Sequence, residues 1–182
     1  MIVFFGPAGA GKSVQGQMLA ARMGWRWLSI GQLLRDTRDE TIHAAMREGK
    51  LIPVEQSEQV MGEGIASARD IKELILDGFP RELHQAQWLM DHQGEYDRHV
   101  DIAVVLEVPR EELLKRLAIR GRADDTPEAI DERLGIYRRE IYPILNFLSE
   151  QNVPVAHIDG TGLVGQVHDR IVAELTDRGL AE

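Results

Sequence analysis

The segment Gly6-Pro-Ala-Gly-Ala-Gly-Lys12-Ser13 has residue types and spacing suited to gripping a chain of phosphates. It fits the pattern G-x-x-x-x-G-K-[S/T], with an apolar run, Ile2–Phe5, before it and a helical pattern, Ser13–Met23, after it. That flanking order is what the pattern requires to act as a phosphate-binding loop. Glycines let the backbone wrap closely, so successive N–H groups can point at phosphate oxygens. The start of the following helix adds partial positive charge at the same place. Lys12 would reach the β- and γ-phosphates, and the Ser13 hydroxyl would ligate Mg²⁺.

A second acid belongs with this loop. Ile71-Lys-Glu-Leu-Ile-Leu-Asp77 reads as a buried strand ending in a carboxylate, the usual form of the second magnesium-side motif. A phosphate loop alone serves GTPases, motor ATPases, small-molecule kinases and switches alike. No Asn-Lys-x-Asp guanine-reading sequence is present. The arginines are more informative: Arg35, Arg81, Arg116, Arg120, Arg122 and Arg133, the pair Arg116 and Arg120 sharing a helix face. Arginine is always charged and binds phosphate with two parallel donors. In a chain of net charge −9, arginines following the ends of parallel strands build a local anion trap.

The elements that must position these groups are legible as short apolar runs alternating with helical patterns. The runs are Ile2–Phe5, Trp25–Ile30, Leu74–Leu76, Ile102–Val108 and Val153–Ile158. They lack clean alternation, as strands buried on both faces do. Helical patterns cover Ser13–Met23, Gln56–Arg69, Glu82–His92, Arg110–Ile119 and Glu128–Glu150. The expected fold is an α/β three-layer sandwich around a five-stranded parallel sheet. The stretch from Ile30 to about Gln56 reads as a small helical insert, and Asp91–Asp101 as a surface loop. Thr126-Pro-Glu128 is a helix start, whereas Pro143 is expected to bend or break the long helix that follows. Trp25, Trp27 and Trp88 are expected to pack in the core or its rim, the six histidines to be filler, and Arg138-Arg139 to form a solvated helix face.

Composition narrows the function classes. With no cysteine, disulfides, thiol chemistry and cysteine-ligated zinc are excluded. The negative charge disfavours nucleic-acid binding. No apolar run is long enough to span a membrane and no signal pattern begins the sequence, so a soluble, cytoplasmic protein of one domain is expected.

Taken together, the motifs resemble the adenylate kinases of the nucleoside monophosphate kinase family, of the short-lid kind. The phosphate loop, Leu28-Ser-Ile-Gly-Gln-Leu-Leu-Arg35, Gly49-Lys-Leu-Ile-Pro-Val-Glu55, Asp77-Gly-Phe-Pro-Arg81, Arg120-Gly-Arg-Ala-Asp-Asp125 and Asp159-Gly-Thr161 appear in the family's order, from Met1 to about Val167. The resemblance implies reversible Mg-dependent transfer from ATP to AMP. It places ATP on Gly9, Ala10, Gly11, Lys12, Ser13 and Val14, with Arg116, Arg120 and the backbone at Gly162. AMP would contact Ile30, Arg35, Lys50, Leu51, Ile52, Gly78, Phe79, Pro80, Arg81 and Gln85, with Arg122 and Arg133. Lys12, Arg81, Arg120, Arg122 and Arg133 would be catalytic, and Ser13 and Asp77 would hold Mg²⁺, the latter through water. Residues 29–58 would form the acceptor-binding insert and 120–126 a minimal lid. The implied partners are the nucleotides alone, with no zinc, no nucleic acid and no membrane, in a monomer or small homo-oligomer.

Three positions depart from the family pattern. Ile30 stands where a threonine is usual beside the acceptor base, and Gln32 replaces an aspartate with an expected local effect. Arg120-Gly-Arg122 joins two arginine groups through one residue, so the lid is almost absent. Weaker exclusion of water, and hence a higher ATPase leak, is expected. Three other readings stand beside this one: a UMP/CMP kinase with the same arginines, a nucleotide-binding regulator with little turnover, and a kinase for a neutral alcohol. Gln85 favours adenine over a pyrimidine. The arginines argue against a pure binder. An alcohol acceptor would need a base for its proton, and no such constellation is visible.

Overall fold

The computed structural model describes residues 1–47, 52–121 and 126–181, the Arg120 side chain aside. Five strands, β1 (Ile2–Phe5), β2 (Arg26–Ser29), β3 (Leu74–Asp77), β4 (Ile102–Glu107) and β5 (Val155–Asp159), form one sheet in the order β2-β3-β1-β4-β5. Every pairing is parallel. The α-helices of the described residues are α1 (Lys12–Met23), α2 (Ile30–Asp36), α3 (Glu40–Arg47), α4 (Val54–Ala66), α5 (Leu83–His92), α6 (Arg110–Arg120), α7 (Pro127–Glu150) and α8 (Val164–Asp177). The α/β sandwich expected from the sequence is therefore present. No helix among the described residues is long and apolar enough to cross a membrane.

The sheet has two cores because its strands are apolar on both faces. Val3, Phe5, Leu76, Ala103 and Val105 enter one cluster with Met61 and Ile65 of α4 and Leu89 of α5. Ile2, Phe4, Ile75, Val104 and Leu106 enter the other with Leu19 of α1, Leu113 and Leu117 of α6, and Ile171 and Leu175 of α8. A period of two sends neighbours to opposite faces, so an unbroken apolar run requires cover on both sides.

The helix α7 joins the two clusters. Its first turns bury Ile130 and Leu134 in the second core, and its later turns bury Ile141, Ile144 and Leu148 in the first. Arg133 lies between Ile130 and Leu134, on the turns of α7 that pack on the second core. The Thr126 hydroxyl accepts the Ala129 N–H at 3.2 Å and Pro127 begins the helix, as the sequence indicated. Pro143, however, does not break it: α7 runs unbroken to Glu150. Pro143 and Arg139 are exposed residues, while the buried Ile141 and Ile144 hold the helix in place.

Loop 91–101 is also more structured than expected. It contains the end of α5 and a 3-10 turn, Gln93–Tyr96. Arg98 is buried and donates to the carbonyls of Ala68, Arg69, Ile71 and Lys72 at 2.6–3.0 Å. It thereby ties together the backbone that follows α4. The tryptophans pack as expected: Trp25 is buried, Trp27 lies against Gly16 of α1, and Trp88 meets Phe79 edge-on at 5.9 Å. Arg138 and Arg139 are exposed.

Candidate active site

Strand register decides which loops meet. Phe4 of β1 pairs with Asp77 of β3, and Ser29 of β2 pairs with the same Asp77. The phosphate loop, the Asp77–Arg81 turn and the start of α2 therefore emerge side by side at the carboxyl edge of the sheet. This is where ligands bind in open α/β sheets. In the phosphate loop Gly9 has a φ of +85°, and a Cβ there would lie 3.0 Å from Leu117. Only glycine suits both that backbone region and the close approach of α6.

Three cavities line up along this edge. One of about 530 Å³ is bounded by Gly9, Ala10, Gly11, Ser13, Val14 and Arg116, and by Gly162 and Val164 beyond β5. A central one of about 310 Å³ is walled by Pro80, Arg81, Arg133 and Tyr137. A third, of about 330 Å³, is bounded by Ile30, Arg35, Ile52, Phe79 and Gln85. Lys12 lines both the first and the central cavity, and Gly78 and Arg81 line both the central and the third. The cations thus stand at the two junctions.

Each cation is held by local chemistry. Lys12 Nζ donates to the carbonyls of Gly6 and Pro7 at 2.6 and 3.0 Å. Arg116 donates to Glu112 at 3.0 Å and to the Gly160 carbonyl at 2.9 Å, bridging α6 and the loop after β5. Arg133 donates from Nε to the Ala129 carbonyl at 3.2 Å. Arg81 donates from Nε to the Gly78 carbonyl at 2.7 Å. Its side chain is solvent-accessible, yet the concave walls withhold hydration and lower its pKa, an effect that Asp77 opposes. It remains a cation, because an arginine begins from a value far above neutrality. Gly78 has a φ of +75°, and a Cβ there would stand 3.2 Å from the Arg81 guanidinium. In the third cavity, Arg35 donates to Gln32 at 2.9 Å, so Gln32 props an arginine at the cavity wall.

Ser13 Oγ donates to Asp77 Oδ2 at 2.5 Å. These two oxygens fit a hard divalent cation that takes its remaining ligands from water and phosphate, as Mg²⁺ does. Among the described residues no three His, Cys, Asp or Glu side chains form a metal-holding group.

Most residues picked out in the sequence therefore converge. Pro80 and Arg133 face the central cavity, whereas Ile30, Arg35, Ile52, Phe79 and Gln85 line the third. Lys50, Leu51, Arg122 and the Arg120 side chain lie outside the described residues. Sequence reasoning missed Gln15, Leu34, Met46, Ser57, Tyr137 and Glu140, which also line these cavities. Tyr137 was within reach, since it follows Arg133 by four residues on one helix. Burial, with Glu107 nearby, pushes its phenol pKa well up, so it stays neutral. The Gln15 amide donates to the Val164 carbonyl at 2.9 Å and its oxygen meets His168, an α1–α8 tie that no motif announces.

Comparison with known proteins places this geometry. The family model described as adenylate kinase matches residues 4–153. This chain belongs to the adenylate kinase family. An adenylate kinase of Mycolicibacterium paratuberculosis is 36% identical over 182 residues, covering 96% of this chain and 98% of the relative. An adenylate kinase of Thermus thermophilus is 34% identical, with 96% of each chain covered. One of Porphyromonas gingivalis is 35% identical, covering 97% of this chain and 95% of its own. As an adenylate kinase the protein is a phosphotransferase.

Proposed function

We propose that the protein transfers the terminal phosphoryl group of ATP to AMP, reversibly and with Mg²⁺, giving two ADP. The observation that carries this reading is the continuity of the three cavities through Lys12 and Arg81. Two nucleotide sites separated by one cation-walled chamber suit an exchange between two polyanions.

In this reading ATP lies in the cavity over Gly9–Val14, its base toward Gly162, and AMP lies in the cavity of Arg35, Ile52 and Gln85. An oxygen of the AMP phosphate attacks the γ-phosphorus of ATP. The new O–P bond forms as the β–γ bridging bond breaks, and the bond pair leaves with ADP. The attacking oxygen is already anionic, so no general base is needed. What is needed is neutralisation of charge and alignment. Lys12, Arg81 and Arg133 serve the phosphoryl group in flight, with Arg120 and Arg122 joining them and Arg116 holding the donor side. Ser13 and Asp77 would hold Mg²⁺, Asp77 through water, and the ion when bound would supply positive charge that offsets the charge of the phosphates.

Residues 29–58 act as the acceptor-binding insert and 120–126 as a minimal lid, with an ATPase leak above that of long-lid relatives in the absence of AMP. The cytoplasm is the proposed setting. A coupled assay with Mg-ATP and each of AMP, CMP, UMP and GMP tests the reading. ADP formation with AMP alone is expected. Comparable turnover of CMP or UMP would overturn the base assignment, and none with any acceptor would overturn the kinase.

A further inference from the structure

Resting on AMP as acceptor, we propose that Ser57 is a specificity-determining residue, its hydroxyl accepting a hydrogen bond from the exocyclic amino group of the acceptor adenine. Ser57 lies in the first turn of α4, where its backbone N–H bonds the Pro53 carbonyl at 3.1 Å. Its side chain lines the third cavity and the residue is only 7% exposed. Its hydroxyl bonds no group among the described residues, and it is not sealed away from the cavity. Open to the cavity, the hydroxyl can pair there with water or with a polar group of the acceptor that displaces that water.

The other groups of the cavity divide by chemistry. Arg35 and Arg81 are suited to a phosphate, and Leu34, Met46, Ile52 and Phe79 to the faces of a flat base. The two buried neutral polar side chains on its wall are Ser57 and Gln85. Gln85 is oriented by its own structure: its Oε1 accepts the Arg81 backbone N–H at 2.8 Å, which leaves the amide nitrogen as donor. The adenine edge carries an acceptor, N1, beside a donor, the 6-amino group. A Gln85 N–H takes the first, and Ser57 Oγ, with lone pairs free, takes the second. An apolar residue at position 57 would leave that amino group unpaired.

The test is equilibrium binding by calorimetry, with wild type, Ser57→Ala and Ser57→Thr, of AMP and of purine riboside 5′-monophosphate, which has hydrogen in place of the 6-amino group. One neutral hydrogen bond corresponds to about a three- to tenfold change in affinity. Ser57→Ala is expected to weaken AMP by that factor and to leave the deamino analogue where it was, so the preference for AMP shrinks. Ser57→Thr, which keeps the hydroxyl, is expected to retain the preference. Equal weakening of both ligands, or of neither, would overturn the contact while leaving AMP as acceptor. A wild type that binds no AMP would overturn both.

Discussion

Ser13 donates its hydroxyl hydrogen to Asp77 Oδ2 across 2.5 Å, although 64 positions separate them in the chain. The link exists because β1 and β3 are neighbours whose register sets Phe4 beside Asp77. It gives the phosphate loop and the third strand a shared pair of oxygens, the pair proposed above to hold Mg²⁺. Asp77→Asn keeps the shape and removes the charge, and kcat is expected to fall about 10²-fold. Ser13→Ala should cost less, since Asp77 remains. A magnesium titration of the initial rate checks both, and an Asp77→Asn enzyme with wild-type rate and magnesium dependence would contradict the assignment.

Arg133 reaches the central cavity from the turns of α7 that pack on the second core. Arg133→Ala is expected to lower kcat by about 10²–10³ with a smaller change in either KM, the pattern for an interaction made mainly in the transition state. Arg133→Lys should recover little, because an ammonium cannot present two parallel donors. Steady-state kinetics with both substrates varied separates these effects from a binding defect.

Arg98 is a stability element rather than a functional one. It binds four backbone carbonyls from a buried position far from the phosphate loop in sequence. Arg98→Met removes a donor shared by four carbonyls, of which Ala68 keeps the Ile71 N–H, and should lower the unfolding free energy by about 3 kcal/mol. Urea denaturation measures it, and kcat at a temperature well below the transition should change little.

His168 predicts a pH dependence of stability. It is buried beside Gln15, and burial first, then Arg22, lowers its pKa from the ordinary 6.5, with Asp169 acting weakly against them. Above 6.5 both folded and unfolded chains hold it neutral. As pH falls below that value the unfolded chain takes up the proton first, so this residue's contribution to stability is lost until the folded value is reached. Denaturation between about pH 7.5 and 5 should show that decline, and His168→Gln should flatten it. A variant with the wild-type slope would rule out His168 as its source.

Much of this protein was written in residue types alone. The phosphate loop, the apolar runs and the arginines follow from local rules: glycine where backbone must wrap, branched residues where both strand faces are covered, guanidinium where phosphate must be gripped. Even the cap at Thr126 depends only on residues next to it. The break expected at Pro143 does not occur: its local cost is real, yet Ile141, Ile144 and Leu148 beside it anchor α7 in a core whose other members lie far away in the chain. Loop 91–101 hid Arg98 for the same reason, since its carbonyl partners lie about thirty residues earlier. Ser57 carried no motif: a serine in a first helical turn reads as ordinary until packing buries it on a cavity wall. Sequence thus determined which chemistry was available. Register, burial and the meeting of distant segments decided which groups share a site, because those depend on long-range pairing energies that no window of residues contains.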